Sequence, residues 1–211
     1  MKIRLSPDEI DRCIKFSAES ANNQQRIEFG EIKTKPRPSS EIARDNLIGK
    51  VAEVAVQKML LKDYSLTIDL DFEVYSRGVW DETDFVVNGW RFDVKSTRIG
   101  RWLLLEEHKL VNWQNQGMLP HFFIACRTYW DESIGLPTGV VEIFGFFFIN
   151  RIFKGNKNVL YLEENKCIPN TSAKLQTNNY AIKFNDLENV WGKLVMHIKS
   201  HTPPAINVNF I

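Results

Sequence analysis

The 211-residue chain sets 27 Lys and Arg against 26 Asp and Glu, a formal charge of +1, which excludes a polybasic tail or a supercharged surface. Its 44% hydrophobic and 25% charged content is that of a globular domain and excludes intrinsic disorder and fibrous repeats. Cys13, Cys126 and Cys167 lack disulfide or zinc spacing and read as reduced thiols; with neither a membrane span nor a signal peptide expected, a cytoplasmic location follows.

In chain order, Ser6-Pro7-Asp8-Glu9 is a helix start, with Ser6 and Glu9 as a capping box and a helix to about Asn22. Residues 31 to 40 combine two prolines with Lys33, Lys35 and Arg37 and end in serines able to cap, which predicts a basic linker. Glu41 to about Lys62 is strongly helical, with Ile42, Leu47, Ile48, Val51, Val54, Ala55 and Leu61 among its apolar positions. Alternation at Leu66, Ile68, Leu70 and Phe72 predicts a strand between Tyr64 and Tyr75. Asp84 to Val87, Asn88-Gly89 and Trp90 to Ser96 form a type I′ hairpin signal.

After it come a short extended piece at Arg101 to Leu105, a helix from Glu106 to Gln116 closed by Gly117, and a buried strand from His121 to Arg127. A loop from Thr128 to Gly139, a strand from Val140 to Ile149 and an amphipathic helix from Asn185 to Ser200, capped by Asn185 and Glu188, complete the order. Helix, strand, hairpin, helix, strand is a mixed α/β order whose sheet is partly antiparallel.

The two-residue turn sets Asp84 opposite Asp93, and strand alternation puts Lys95 on their face, while Phe85, Val87, Trp90, Phe92 and Val94 form the apolar face. Two carboxylates across an antiparallel pair repel. Either a hard divalent cation offsets that repulsion, or Lys95 and Arg91 neutralise an ordinary exposed face.

Gly49-Lys50-Val51-Ala52-Glu53 on a helix, then Asp84, the hairpin and Asp93-Val94-Lys95-Ser96-Thr97 resemble the PD-(D/E)XK nuclease superfamily, the restriction-endonuclease-like fold. The resemblance covers about residues 41 to 127, in the family's order; Thr83, not proline, precedes Asp84. It implies a mixed sheet with a central antiparallel hairpin flanked by helices, within a single domain spanning residues 1–211. Residues 1–40 would be a helical arm and linker, 41–127 the catalytic core, and 128–211 an extension for target recognition or dimer contacts.

It further implies a metal-dependent endonuclease acting on DNA with Mg²⁺, for which Mn²⁺ substitutes, and no nucleotide cofactor. Asp84 and Asp93 would hold the metal, Glu53 would complete its shell directly or through water, and Lys95 would serve the attacking water and the charged transition state. Glu53 also reads as part of a solvated stripe in a surface pair with Lys50, although the internal Gly49 suggests close approach by another element.

Ser96, Thr97, Arg98 and Arg101 are candidate phosphate contacts, and Trp130 a candidate for base stacking. His197 and His201, four apart without a following glutamate, fit no zincin. The alternatives are a nucleic-acid-binding or assembly protein that retains the fold without cleaving, and a Holliday-junction resolvase.

Overall fold

An Asn-Gly pair closes a tight hairpin only if both residues accept positive φ, and they do, Asn88 at 48° and Gly89 at 80°. The computed structural model describes residues 1–24, 38–74, 83–152, 156–206, 208 and 210. It places this turn between β2 (Phe85–Val87) and β3 (Trp90–Thr97). Before them run β1 (Lys2–Arg4), α1 (Pro7–Gln24) and α2 (Ser39–Tyr64). After them come β4 (Trp102–Glu106), α3 (Glu107–Asn115), β5 (Phe122–Asp131), β6 (Leu136–Phe148), β7 (Leu160–Leu162), β8 (Asn179–Lys183) and α4 (Trp191–Ser200).

The fold is mixed α/β, with a five-stranded sheet of order β1-β6-β5-β3-β2 and a three-stranded sheet of order β4-β8-β7. β1 pairs antiparallel with β6, and β8 antiparallel with both β4 and β7. β3 and β5 run in the same direction: His121 N donates to Arg91 O at 2.9 Å, and farther along Ser96 Oγ lies 3.0 Å from Thr128 Oγ1. The first sheet is therefore mixed, and α3 lies in the connection between its two parallel strands.

Contacts divide the chain into two compact units, one of residues 1–85, 96–98 and 126–143, the other of residues 86–95, 99–125 and 144–211. In the first, α1 packs on α2. The capping box forms, Ser6 N donating to Glu9 Oε2 at 2.6 Å and Glu9 N to Ser6 Oγ at 3.3 Å. Cys13 and Ala21 of α1 and Leu47, Val51, Ala55 and Met59 of α2 are buried.

In the second unit, strand alternation sends successive aromatics to opposite faces. Phe122 stacks on Phe92 and Phe148, centroids 5.2 and 5.0 Å apart, and meets Trp90 and Phe146. Phe123 and Phe147, one residue on, join Leu103, Leu105, Leu110, Tyr180 and Ile182 in a separate apolar cluster.

Five expectations change. Residues 65 to 74 form no strand, although Leu66 and Ile68 are buried as their alternation required. Side chains of α2 take their carbonyls instead of a neighbouring strand, Gln57 Nε2 donating to Ile68 O at 2.7 Å and Lys50 Nζ to Asp71 O at 2.8 Å. The expected loop Thr128 to Gly139 is mostly the facing ends of β5 and β6. No side chain caps α2; the amides of Glu41 and Ile42 donate to Pro38 O. Leu61, expected on the apolar stripe of that helix, is exposed. Finally, α4 starts at Trp191, not Asn185, because the backbone of Glu188 exchanges two hydrogen bonds with Phe146 and is unavailable to a helix. Lys33, Lys35, Arg37 and most of the expected linker lie outside the described residues.

Candidate active site

Lys95 follows Asp93 by two residues on β3, so the pleat turns both side chains to one face. Asp93 as a residue is only 5% exposed. Lys95 Nζ lies 2.6 Å from its Oδ2 and 2.9 Å from Oδ1, with the hydrogen bond directed at Oδ1. The lysine side chain keeps 40% of its surface in water, and its ammonium sits 5.6 Å from the ring centre of Trp113 on α3. Trp90, Phe92 and Val94, on the opposite face, are buried as expected.

Glu53 is buried on α2, as is Lys50 one turn before it, whose Nζ lies 2.5 Å from Glu53 Oε2. Besides donating to Asp71 O, that ammonium lies 4.5 and 5.2 Å from the ring centres of Phe16 and Phe72. The pair is thus sealed, not part of a solvated stripe. A Cβ built on Gly49 would meet nothing within 4 Å among the described residues, so no close approach explains that glycine. Cys13 lies in the same environment; its burial, then the Glu53 charge, push the thiol up to about 12, which leaves it protonated and unreactive at neutral pH.

Asp84 is half-buried and immediately precedes β2. Burial of Cys126, with the Asp84 charge adding to it, drives that thiol far above its ordinary range. The three cysteines form no disulfide, in line with reduced thiols.

Of the expected phosphate contacts, Ser96 meets Thr128, whose Oγ1 donates to Ile48 O at 3.1 Å and so is tied to α2. Thr97 ends β3 half-buried. Arg98 forms a 2.6 Å ion pair with Glu132, and its guanidinium lies 5.9 Å from the ring centre of Trp130. Arg101 is exposed. His197 packs against Trp90 and stacks with His201 at 4.5 Å.

Oxygen donors such as Glu53, Asp84 and Asp93 suit Mg²⁺ in type. Among the described residues, no three His, Cys, Asp or Glu side chains form a group that could hold a metal ion. Glu53 and Asp93 each carry a lysine ammonium instead.

Sequence reasoning missed Trp113 as a neighbour of Lys95, because a helical tryptophan reads as core, and it missed the enclosure of Lys50 by Phe16 and Phe72. The spacing of Lys50 and Glu53 signalled the pair; nothing in the spacing signalled its burial. Among the described residues no helix is long and apolar enough to cross a membrane. Comparison with family models, with curated proteins and with solved structures finds no match for this chain.

Proposed function

We propose that this chain is a metal-dependent endonuclease that hydrolyses phosphodiester bonds of DNA, built on a restriction-endonuclease-like core. The observation that carries the reading is the Asp93–Lys95 pair, a nearly buried carboxylate held by a lysine whose side chain is 40% exposed. The order of elements supports it: α2 with Glu53, then the hairpin, then the Asp-x-Lys strand, then α3 and β5 running parallel to β3.

In this reading Asp84, Asp93 and Glu53 are the acids to which Mg²⁺ or Mn²⁺ dependence is assigned. Lys95 offers a positive charge to a phosphate, where negative charge grows as the phosphorus–oxygen bond breaks. Thr97, Arg98 and Arg101 are assigned to the DNA backbone, and Ser96 with them, although its hydroxyl first has to leave Thr128.

The test is incubation of the full chain with linear, circular, single-stranded and four-way-junction DNA in Mg²⁺, Mn²⁺ or EDTA, beside Asp93→Ala and Lys95→Ala. Metal-dependent cutting lost in both variants is the expected result, and a preference for the junction would make the enzyme a resolvase. Intact DNA in every lane would overturn the nuclease reading.

The second reading, a nucleic-acid-binding or assembly protein that keeps the core without cleaving, is favoured by one observation. The charges of Glu53 and Asp93 are already answered from within the chain. Such a protein would retard DNA in a gel and leave it whole.

A further inference from the structure

We propose, resting on the DNA reading above, that Glu132 stands in for a DNA phosphate on Arg98, and that DNA engages this arginine by taking the place of the carboxylate. Glu132 then regulates one of the phosphate contacts which that reading assigns.

Arg98 directly follows β3, and Glu132 lies 34 residues later in the turn between β5 and β6. Arg98 Nη1 donates to Glu132 Oε1 at 2.6 Å, the short charge-assisted contact that a guanidinium also makes with a phosphate oxygen. It runs through one nitrogen, whereas a phosphate can meet the planar fork with two oxygens at once.

The turn does not need Glu132 in order to form. Asp131 Oδ1 accepts Ser133 N at 2.9 Å and Ser133 Oγ at 2.6 Å, and the Asp131 carbonyl accepts Gly135 N at 2.9 Å. Gly135, at φ 69°, supplies the left-handed residue. The Glu132 carboxylate takes part in none of these bonds, so it can leave Arg98 without unmaking the turn.

The two partners are held unequally. The Arg98 side chain is 27% exposed and its guanidinium lies 5.9 Å from the ring centre of Trp130, a contact that keeps the cation in place when the acid departs. The Glu132 side chain is 73% exposed, and water solvates it whether or not it is paired. Exposed ion pairs of this kind are weak, so an anion that grips the guanidinium better than a carboxylate displaces the acid. Until one arrives, Glu132 withholds Arg98 from weaker anions.

The experiment measures binding of fluorescently labelled duplex, single-stranded and four-way-junction DNA by anisotropy at low salt, on the full chain, in EDTA and again in Ca²⁺. The proteins are the wild type, Glu132→Gln, Arg98→Gln, Arg98→Lys and each arginine variant combined with Glu132→Gln, all checked for folding by circular dichroism. Glu132→Gln is expected to tighten DNA binding about threefold to fivefold, the worth of an exposed ion pair, and Arg98→Gln to weaken it. The cycle separates competition for Arg98 from general repulsion between an acid and DNA. Competition requires that Glu132→Gln tighten binding in the wild type and in Arg98→Lys, and clearly less in Arg98→Gln.

If Glu132→Gln tightens binding equally with and without the arginine, or not at all, the stand-in is wrong while the DNA reading stands. If none of these proteins binds any of the three DNAs, the stand-in and the DNA reading fall together.

Discussion

The two units each bury a carboxylate beside a lysine, and they do so in opposite ways. On α2, Lys50 and Glu53 are both withdrawn from water, with side chains 7% and 9% exposed; on β3, Asp93 is withdrawn at 8% while Lys95 keeps 40%. A sealed pair gains strong attraction but has lost both hydration shells, so what matters is that neither partner be left alone. A half-open pair gains less and can be remade.

Lys50→Met is therefore expected to cost about 3 to 5 kcal/mol, with most of that recovered when Glu53→Leu removes the stranded charge as well. Lys95→Met also leaves a nearly buried carboxylate behind, but one beside a half-exposed position, so its cost should be smaller, about 2 kcal/mol. Urea denaturation of the four proteins decides it. Equal losses for the two lysine variants would erase the distinction between the pairs.

The second unit also buries a titratable group without any counter-charge. His121 is 3% exposed, its Nδ1 accepts the Arg91 amide at 3.0 Å, and burial, then the Arg91 cation, lower its pKa to about 4 against an opposing backbone hydrogen bond with Pro204. The imidazole is neutral in the fold and takes up a proton more readily when unfolded. Stability is thus complete above the ordinary histidine pKa near 6.5, falls as pH drops below it, and has lost about 3 kcal/mol by pH 4. Denaturant midpoints between pH 7 and 4.5 should fall more steeply for the wild type than for His121→Gln. Parallel slopes would show that the ring is not buried neutral.

A third contrast lies in backbone approach. Gly49, within α2, has room for a side chain, whereas a Cβ on Gly145 of β6 would run into the backbone oxygen of Glu188 where that residue bridges to Phe146. Gly145→Ala is expected to cost about 2 kcal/mol or more by parting that bridge. Gly49→Ala should stabilise by about 1 kcal/mol, through helix propensity alone. Thermal melts of the two variants should move in opposite directions.

These glycines mark the limit of what was legible in the sequence. Wherever a local rule decides the outcome, the elements match: the Ser6 and Glu9 cap, the Asn88-Gly89 turn, and the helix bearing Glu53. The same holds for Asp93 and Lys95, which the period of a strand puts side by side without help from elsewhere.

What depends on a distant partner was not legible. Leu66 to Phe72 alternate like a strand, yet α2 takes up their carbonyls. Asn185 and Glu188 match a helix cap, yet Phe146 claims the Glu188 backbone. β7 and β8 were not anticipated, because Leu160–Leu162 and Asn179–Lys183 are short and become strands only through one another and β4. The alternative reading of Glu53 and Lys50 as a surface pair fails although charge normally signals exposure; the rings of Phe16 and Phe72 that cover the ammonium lie 34 residues before it and 22 after it in the chain.

The smallest expected effect tests how α1 supports the sealed pair. Glu9 serves two ends at once, accepting the Ser6 amide at 2.6 Å as part of the cap and Lys58 of α2 at 2.7 Å as an ion pair. Partial burial raises its pKa, but the Lys58 and Ser6 hydrogen bonds outweigh this and hold the carboxyl below its usual range. Its contribution is present at neutral pH and fades as pH falls through that lowered value. Ser6→Ala removes only the longer leg of the box, the 3.3 Å bond to the Glu9 amide, and should cost about 0.5 to 1 kcal/mol. Glu9→Gln keeps an acceptor for the cap while losing the ion pair, so a similar small loss is expected, sensitive to salt where that of Ser6→Ala is not. Because α1 also carries Phe16 over Lys50, loosening its start should add little to the cost of Lys50→Met in a double variant. Full additivity would mean that the helix cap and the sealed pair are held independently.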